Sequence, residues 1–359
     1  MTPANTVRRL AVVADDLTGA ADAAAPFAAR GLHVSVALSE AVPPGAEVLA
    51  LVTDSRWRPA DEAARRMRAA VLRVRAWRAE MLFVKVDSTL RGRVRADVSV
   101  ALDTWGPRHA LATPAFPAQG RTVREGALVV HGEITVADVH RHFPDGVHVV
   151  DAESHADLVA TAREIVDDGA VAVGSGGLAR AVADVLVPTP GRSRGPDATV
   201  TGVLLVVGTS HPATRAQVSS VLDAGAALVV VGSTPSPVES ATTALLAGRR
   251  VVLTREVTGE VEPDSSEAEA LAEDLARVAH AVVDAVPSVG LVLTGGTTAL
   301  AVATALGAVE LRLVSEVADG LPLGEMVVGD RRIPVVTKSG GFGAKDSLCR
   351  AAEALEACA

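Results

Sequence analysis

Short apolar runs alternate with longer amphipathic segments along most of the 359-residue chain. The apolar runs are rich in Val and Ala, whereas the segments between them carry apolar residues at helical spacing. This alternation is typical of βα units that build a mainly parallel sheet. In the first half it predicts strands at 10–14, 34–38, 48–53, 81–86, about 110–112, 147–151 and 171–174. It predicts helices at 19–30, 59–79, 93–104, 154–168 and 177–187, and a hairpin at 126–135.

The alternation restarts after residues 188–199, a stretch rich in Pro, Gly, Arg and Ser that is typical of a linker. Strands are predicted at 202–208, 227–232, 250–254, 290–296 and 334–341, and helices from Pro212, about Pro237, 267 and Thr297. A chain of this length suffices for two domains with separate cores. We therefore predict two α/β domains at 1–190 and 201–359, joined by a linker at 191–200, each a mainly parallel sheet flanked by helices. Ligands are expected in the cleft between the domains.

Composition and charge exclude several classes of protein. Aromatic residues make up 2% of the chain, Tyr is absent and the net charge is −9, which argues against a nucleic-acid partner. No apolar run approaches the roughly 18 residues of a membrane-spanning helix, and the run after Arg9 is too short for a signal peptide. Cys349 and Cys358, nine residues apart in a predicted final helix, face opposite sides. We predict a cytoplasmic protein without a disulfide or a shared cysteine metal site.

Charged and hydroxyl side chains follow two of the predicted strands in the first half. The stretch "VVADDLTGAAD" (12–22) places Asp15 and Asp16 between a strand and a helix, where an anion would ordinarily bind. Thr18 is the predicted N-cap, which would leave both carboxylates for a hydroxylated ligand. The stretch "FVKVDSTLRG" (83–92) ends a strand with Lys85 and Asp87 on one face.

The turn that follows contains an arginine with two open interpretations. Arg91 has the geometry to bind a carboxylate in a bidentate manner, with Asp87 accepting substrate hydroxyls. An Arg91–Asp87 salt bridge across the turn is an equally good interpretation. A proline-stiffened loop, "TPAFPAQGRT" (113–122), carries Gly120 and Arg121 and is either a second anion anchor or a structural crossover.

Three predicted strands of the second half end in glycines and small hydroxyl residues. They are "VGTSHP" (207–212), "LTGGTTAL" (293–300) and "TKSGGFG" (337–343), and Lys338 is the cation within them. Each alone is explained by an ordinary turn. Together they would place several backbone N–H groups and two helix N-termini at one edge of a sheet, which favours a phosphate site. His211 is either a capping residue or a ligand of that site.

Two known sequence fingerprints give little support for a P-loop or a dinucleotide-binding enzyme. The Walker A pattern is absent, which argues against a P-loop enzyme. The stretch "GSGGLA" (174–179) satisfies the G-x-G-x-x-A dinucleotide pattern. The acidic residue expected about 20 positions later would be Asp197, which lies in the linker. A tight βα turn explains these glycines equally well.

Six stretches together resemble the four-carbon acid sugar kinase family, in the family's order and over nearly the whole chain. They are "ADDLTGAAD" (14–22), "KVDSTLRG" (85–92), "PAFPAQGRT" (114–122), "TSHPATRAQ" (209–217), "TGGTTA" (294–299) and "KSGGFG" (338–343). The resemblance implies an N-terminal sugar-acid domain and a C-terminal nucleotide domain. It implies a phosphotransferase that moves the γ-phosphoryl group of ATP to an alcohol of threonate, erythronate or a 3-oxo-tetronate-type acid.

The resemblance and the residue patterns together give a candidate site. Asp16 or Asp87 is the expected catalytic base. The residues expected to bind the acid sugar are Asp15, Lys85, Ser88, Arg91, Gly120 and Arg121. The residues expected to bind ATP are Gly208, Ser210, His211, Gly295, Gly296, Thr297, Lys338, Gly340 and Gly341. Mg²⁺ is expected on the phosphates and water, without a protein metal site.

One departure from the family bears on the substrate and the activity, and two alternatives stay open. After residues 129–143 the chain reaches the next strand at 147 almost at once, where family members usually have a longer segment. The alternatives are an NAD(P)-dependent oxidoreductase of a small hydroxy acid, based on 174–179, and a non-catalytic sugar-acid-binding relative. The expected partners are the sugar acid and ATP, and a homo-oligomer is compatible with the sequence.

Overall fold

The structure is a computed structural model that describes residues 8–106, 108–189, 191, 195–255 and 266–358. The chain forms two compact units. The first is Met1–Ala37 with Val42–Ser193, and the second is Leu38–Ala41 with Arg194–Ala359. Part of the predicted linker lies outside the described residues.

The first unit is built on a parallel sheet that helices cover. Its strands are β1 (Leu10–Ala14), β2 (Val34–Ala37), β3 (Val48–Val52), β4 (Met81–Lys85), β5 (Ala110–Thr113), β6 (Arg121–Arg124), β7 (Ala127–Val130), β8 (Glu133–Val136), β9 (Val147–Val149) and β10 (Val171–Gly174). Its helices are α1 (Leu17–Ala28), α2 (Ala60–Ala76), α3 (Val94–Trp105), α4 (His155–Asp168) and α5 (Gly176–Leu186). Seven strands form the parallel sheet in the order β2-β3-β1-β4-β10-β5-β9.

The strand sequences explain why this sheet is covered on both faces. β1 reads LAVVA and β4 reads MLFVK, and all their residues are buried. A strand that is buried at every position needs cover on both sides, which the βα crossovers supply. Helix α2, by contrast, buries one stripe that includes Met67, Val71 and Val74 and leaves its other face open to solvent, as at Arg65 and Arg68.

The hairpin predicted at 126–135 is part of a small three-stranded antiparallel sheet. Its order is β6-β7-β8, so the predicted hairpin gains a third strand that starts at Arg121. Gly126 and Gly132 lie in the two turns with positive φ, which glycine adopts without strain.

The second unit has a mixed sheet. Its strands are β11 (Gly202–Val207), β12 (Ala227–Val231), β13 (Val251–Arg255), β14 (Val289–Thr294), β15 (Glu310–Ala318), β16 (Leu321–Val328) and β17 (Arg331–Lys338). Its helices are α6 (Pro212–Asp223), α7 (Pro237–Leu246), α8 (Ser266–Ala285), α9 (Gly296–Ala305) and α10 (Ser347–Glu356). The order is β12-β13-β11-β14-β17-β16-β15, and the last two strands run antiparallel to their neighbours.

The α/β fold class predicted from the sequence is confirmed, with one omission. β15 and β16 were not predicted, because the βα pattern indicates only strands that are separated by helices. The two turns that make these strands antiparallel contain Gly320 and Gly329, both at positive φ. The final helix ends before Cys358, and both cysteines are free.

Candidate functional site

The fold of the first unit places five strand ends side by side. The strands β3, β1, β4, β10 and β5 are parallel neighbours, so their carboxyl ends share one edge of the sheet. Backbone pairing continues past the strands, since Ser55 N donates to Asp15 O at 3.2 Å and Val86 N donates to Gly174 O at 2.9 Å. The loops after these strands therefore lie together, as they do at ligand sites of other α/β sheets.

Arg56 is the centre of this edge. Its Nε and Nη2 each donate at 2.7 Å to the two carboxylate oxygens of Asp15. Its Nη1 lies 2.7 Å from Asp16 Oδ2 and 4.0 Å from Asp87 Oδ1. Burial alone would lower the pKa of Arg56, but Asp15 and Asp16 hold it well above its ordinary value. One guanidinium thus neutralises two buried or half-buried carboxylates and approaches a third.

Asp16, and not Thr18, caps helix α1. Its Oδ1 accepts from Gly19 N at 2.6 Å, with Asp16 in an extended conformation. A Cβ at Gly19 would lie 2.5 Å from that oxygen, so the cap requires glycine there. The prediction that Thr18 is the cap was wrong, because an aspartate two residues earlier reaches the same N–H groups. The expectation that Asp15 and Asp16 are left for a ligand was wrong, because both carboxylates have protein partners.

Asp87 forms the salt bridge that was one of two interpretations of Arg91. Arg91 Nη2 and Nε donate to Asp87 Oδ1 and Oδ2 at 2.7 and 3.0 Å, and Thr89 N donates to Oδ2 at 3.0 Å. Burial alone would raise the pKa of Asp87, but the bonds from Arg91 and the charge of Arg56 hold it far below its usual range. Asp87 is therefore a fixed anion, while the Arg91 side chain is 48% exposed.

The remaining predicted acceptor residues lie at the same edge or in the adjoining loop. Lys85 is buried at the end of β4, and its Nζ donates to Val86 O at 2.9 Å. Ser88 is also buried. Burial lowers the pKa of Arg121, although Asp87 and Asp22 are near enough to oppose that shift. Gly120 has φ +71°, and a Cβ there would lie 2.5 Å from His131 Nδ1, so its glycine is required by the turn.

Two residues of this edge were missed by the sequence analysis. Arg56 follows β3, and its position beside Asp15 results from the pairing of β3 with β1, which the sequence pattern does not determine. Asp97, in the first turn of α3, is 5% exposed. Burial and the charge of Asp15 raise its pKa to about 7. Within the described ranges its carboxyl has no hydrogen bond or ion pair.

In the second unit, the three glycine-rich strand ends are neighbours. They follow β11, β14 and β17, which lie side by side and parallel. Gly295 N donates to Lys338 O at 2.9 Å, which joins the second loop to the third. A Cβ at Gly340 would lie 2.8 Å from Thr209 Oγ1, which brings the first loop against the third. These glycines allow three backbones to approach closely.

Helix starts in these loops differ in how they are capped. His211 is the N-cap of α6, with Nδ1 accepting from Ala213 N at 3.2 Å, so its capping interpretation holds. The N-cap of α9 is Gly295, and no side chain caps that helix. Gly208 has no room for a Cβ, which would lie 1.9 Å from Thr298 Oγ1. Ser210 and Gly296 are half-buried, and Thr297 is exposed in the first turn of α9.

Lys338 and its loop have a different geometry from the one expected. The side chain is fully buried, and Nζ donates to Ser339 O at 2.8 Å and to Thr214 Oγ1 at 3.1 Å. Burial lowers the pKa of Lys338 to about 7. Its ammonium group faces the oxygens of its own loop. Gly341 packs near His211, since a Cβ there would lie 3.3 Å from Nε2.

Comparison with known proteins identifies the family. Residues 10–143 match the model of a sugar-binding N-terminal domain, and residues 204–348 match that of a nucleotide-binding C-terminal domain. A D-threonate kinase of Bordetella bronchiseptica is 35% identical over 96% of this chain and 97% of that protein. The chain belongs to the four-carbon acid sugar kinase family. The family predicted from the sequence is thereby confirmed.

One further relative and one solved structure extend the match. A D-threonate kinase of Salmonella typhimurium is 31% identical over 96% of this chain and 97% of that protein. The solved structure of Haemophilus influenzae protein HI1011 is 19% identical, with a TM-score of 0.71 over 96% of this chain and all of that one, which supports the fold. The alignment with the Bordetella kinase spans 405 residues, so that relative contains segments that this 359-residue chain lacks.

Packing accounts for the glycines of the dinucleotide-like stretch in this chain. A Cβ at Gly176 would lie 2.3 Å from Asp22 Oδ2, and one at Gly177 would lie 2.7 Å from Ala115 O. A carboxylate of the protein therefore already lies at the start of α5, where a pyrophosphate would bind in a dinucleotide enzyme. This arrangement disfavours the oxidoreductase alternative.

The described ranges contain one group of side chains with metal-ligand proximity. The ligand atoms of His109, Glu164 and Asp168 lie within 4.8 Å of one another, and all three residues are exposed. They lie away from the strand ends described above, at the start of β5 and the end of α4. Within the same ranges, no helix is both long enough and apolar enough to cross a membrane.

Proposed function

We propose that this chain transfers the γ-phosphoryl group of ATP to an alcohol of a four-carbon acid sugar, with D-threonate as the first substrate to test. The observation that carries the proposal is the contrast between the matched domains. Charged side chains cluster in the unit matching a sugar-binding domain. Glycine loops meet in the unit matching a nucleotide-binding domain. The names of the relatives, D-threonate and D-erythronate kinase, support the acceptor class.

The acid sugar would bind through its carboxylate and its hydroxyls. Arg91 donates hydrogen bonds to Asp87 through Nε and Nη2. The third nitrogen of Arg91, Nη1, makes no hydrogen bond within the described part of the chain. A half-exposed guanidinium with one N–H edge left over suits a substrate carboxylate. Asp15 and Asp16 would accept hydrogen bonds from the substrate hydroxyls with their remaining lone pairs. The paired arginines leave the edge close to neutral, so that an anionic substrate is not repelled.

Asp16 is the proposed base, in preference to Asp87. The Asp16 side chain is 18% exposed, twice the 9% of Asp15 and Asp87. Asp87 has both oxygens on Arg91 and a strongly lowered pKa, so it is a poor proton acceptor. We assign Asp87 the task of fixing Arg91. Lys85, Ser88, Gly120 and Arg121 remain proposed neighbours of the acceptor.

ATP would bind at the three glycine-rich loops. The uncapped start of α9 and the backbone N–H groups near Gly208, Gly296 and Gly340 suit phosphate oxygens. Ser210, His211, Thr297 and Gly341 would contribute at the rim. Residues 208–211, 294–298 and 338–343 contain no carboxylate, so Mg²⁺ would be held by phosphate oxygens and water. When bound, Mg²⁺ would neutralise phosphate charge.

The test is a coupled assay of ADP release with D-threonate, D-erythronate and 3-oxo-tetronate, each with and without Mg²⁺. We expect sugar-acid-dependent ADP release with at least one of them, and phosphorylation of a hydroxyl detected by mass spectrometry. Binding of a sugar acid without ADP would instead identify a non-catalytic relative. Reduction of NAD or NADP by any of these acids would support the oxidoreductase.

A further inference from the structure

The loop after β17 is held by side-chain donors that all bond to its carbonyl oxygens. Thr214 Oγ1 donates to Gly340 O at 2.7 Å. Gln217 Nε2 donates to Phe342 O, Gly343 O and Ala344 O at 3.0 to 3.1 Å. Both side chains come from α6 and are fully buried. Helix α6 thus fixes the path of this loop from one side.

Lys338 completes this set of donors. Its Nζ is surrounded by four oxygens: Ser339 O at 2.8 Å, Thr214 Oγ1 at 3.1 Å, Phe342 O at 3.2 Å and Gly340 O at 3.4 Å. In the described part of the chain, no carboxylate lies within ion-pair distance of this ammonium group. A cation enclosed by neutral oxygens, three of them carbonyls, has the environment that proteins also give to an alkali-metal ion.

The inward carbonyls determine where the amide groups point. In a planar trans peptide, the C=O and N–H groups point in opposite directions. Five carbonyls, of residues 339, 340, 342, 343 and 344, bond to Lys338, Thr214 or Gln217. The N–H groups of the residues that follow each of them therefore point away from these donors. Lys338 and the two side chains of α6 therefore set the direction of the peptide groups in this loop.

We propose that Lys338 is a built-in monovalent cation that holds this loop in its anion-binding form, as a positioning residue and not as a phosphate ligand. The proposal rests on the proposed binding of ATP by this loop. Loss of the ammonium would release carbonyls that now point inward, and the loop would lose the backbone path that these bonds fix. The expected consequence is weaker ATP binding with unchanged binding of the acid sugar.

The test is chemical rescue of Lys338→Ala at pH 6, where the amine of wild-type Lys338 is mostly protonated. The substitution leaves space where the side chain lay. We expect KM for ATP to rise at least roughly tenfold, the scale of a lost charged hydrogen-bond set. Ammonium, K⁺ or methylammonium should restore ATP affinity in a saturable manner. Tetramethylammonium, which is too large for the site, should not. KM for the acid sugar should stay within about twofold of the wild-type value, as expected for a separate site.

Two further variants make the result decisive. Lys338→Met fills the space without a charge, so it should lose ATP affinity and resist rescue by any cation. Lys345→Ala removes an exposed lysine seven residues later and should leave all parameters unchanged. A loss of kcat in Lys338→Ala with normal KM for ATP and no rescue would overturn the proposal and favour direct phosphate contact.

A direct binding measurement separates this proposal from the proposed function. Binding of ATP to wild type and Lys338→Ala is followed by calorimetry, in K⁺ and in tetramethylammonium buffers, without any sugar acid. If wild type binds ATP but forms no ADP with any acid, the kinase proposal fails and the cation proposal is still tested. If Lys338→Ala is poorly folded, Lys338→Met in the same assay replaces it. Undiminished binding by Lys338→Met would overturn the cation proposal.

Discussion

The strand ends of the two units use opposite chemistry at equivalent positions of an α/β sheet. In the first unit, Arg56 and Arg91 pair with Asp15, Asp16 and Asp87, so the proposed site is built from charged side chains. In the second unit, glycines bring three backbones together and the buried cation, Lys338, bonds to loop oxygens. The acceptor of a kinase varies in its hydroxyls and carboxylate, whereas the phosphates of ATP are constant. Side chains suit the first task and backbone amides the second.

This difference predicts how each region responds to substitution. Isosteric changes of charge should damage the first unit, because its polar groups neutralise one another in buried surroundings. Addition of a methyl group should damage the second unit, because its loops have no space for one. The predictions below test this division, beginning with the largest expected effect.

Replacement of the proposed base should give the largest effect. We expect Asp16→Asn to reduce kcat by roughly 10²- to 10⁴-fold, the usual range for loss of a general base. Asn is as good an N-cap as Asp, so α1 should keep its cap, whereas loss of the Asp16–Arg56 ion pair should lower the stability of the protein. Steady-state ADP release measures the first effect, and calorimetric titration with ATP should show normal binding. An unchanged kcat would show that Asp16 is not the base.

Removal of Arg56 should cost the most stability. Arg56→Met leaves Asp15 and Asp16 without their common cation, and breaking a buried ion pair costs about 3–5 kcal/mol. Urea unfolding measures the free energy of unfolding. Arg65→Met is the matched control, because the Arg65–Asp61 pair has side chains 66% and 75% exposed. Its loss should cost less than about 1 kcal/mol. Equal costs for the two variants would contradict the central position of Arg56.

The sequence contained enough information for the sheet but not for the pairing of charges. β1 and β4 were predictable because they are apolar runs bounded by polar turns, and the match of β1 is complete at 10–14. The position of Gly295 and Gly340 at neighbouring strand ends also followed from the βα pattern. Arg56 did not, because its pairing with Asp15 depends on strand order, which periodicity does not determine.

Two side chains show that the charge of a residue in the sequence does not determine what that residue contacts in the folded protein. Lys338 was predicted to bind phosphate because it is the cation of its loop, yet a lysine stem is flexible and here turns inward to carbonyls. Asp97 was not predicted at all, since a single aspartate early in a helix is ordinary in sequence. Its burial beside Asp15 is a property of the packed structure.

Asp97 should make stability fall as the pH rises. Its pKa is raised from an ordinary 3.8 to about 7, so between these values the folded state keeps a proton that the unfolded state has lost. The free energy of unfolding should therefore decrease from pH 4 to pH 7 and the loss should be complete above pH 7, by about 4 kcal/mol at most. Asp97→Asn should remove this component.

The comparison that isolates Asp97 is the difference between wild type and Asp97→Asn in urea unfolding at pH 5 and pH 8. We expect Asp97→Asn to gain stability relative to wild type at the higher pH. Asp103→Asn, on the same helix α3 and exposed, serves as the control. A constant difference between wild type and Asp97→Asn at both pH values would show that the Asp97 carboxyl ionises normally.

The smallest effect tests the close approach of backbones in the second unit. Gly208→Ala would place a Cβ 1.9 Å from Thr298 Oγ1, and overpacking of this kind costs typically about 1–3 kcal/mol. We expect lower stability by urea unfolding and a higher KM for ATP, because α9 must shift away from the first loop. Gly225→Ala is the control, since a Cβ there meets nothing within 4 Å and only its positive φ is strained.

A second substitution, at Thr298, tests whether the contact with Thr298 causes the effects of Gly208→Ala. Thr298→Ala removes the hydroxyl that the new methyl group would meet, so the double variant should recover part of the stability and ATP affinity lost in Gly208→Ala. Neighbouring residues in contact are expected to show such non-additive free energies. Strict additivity of the two changes would mean that Gly208 is required for another reason, such as direct approach of a phosphate group to the backbone.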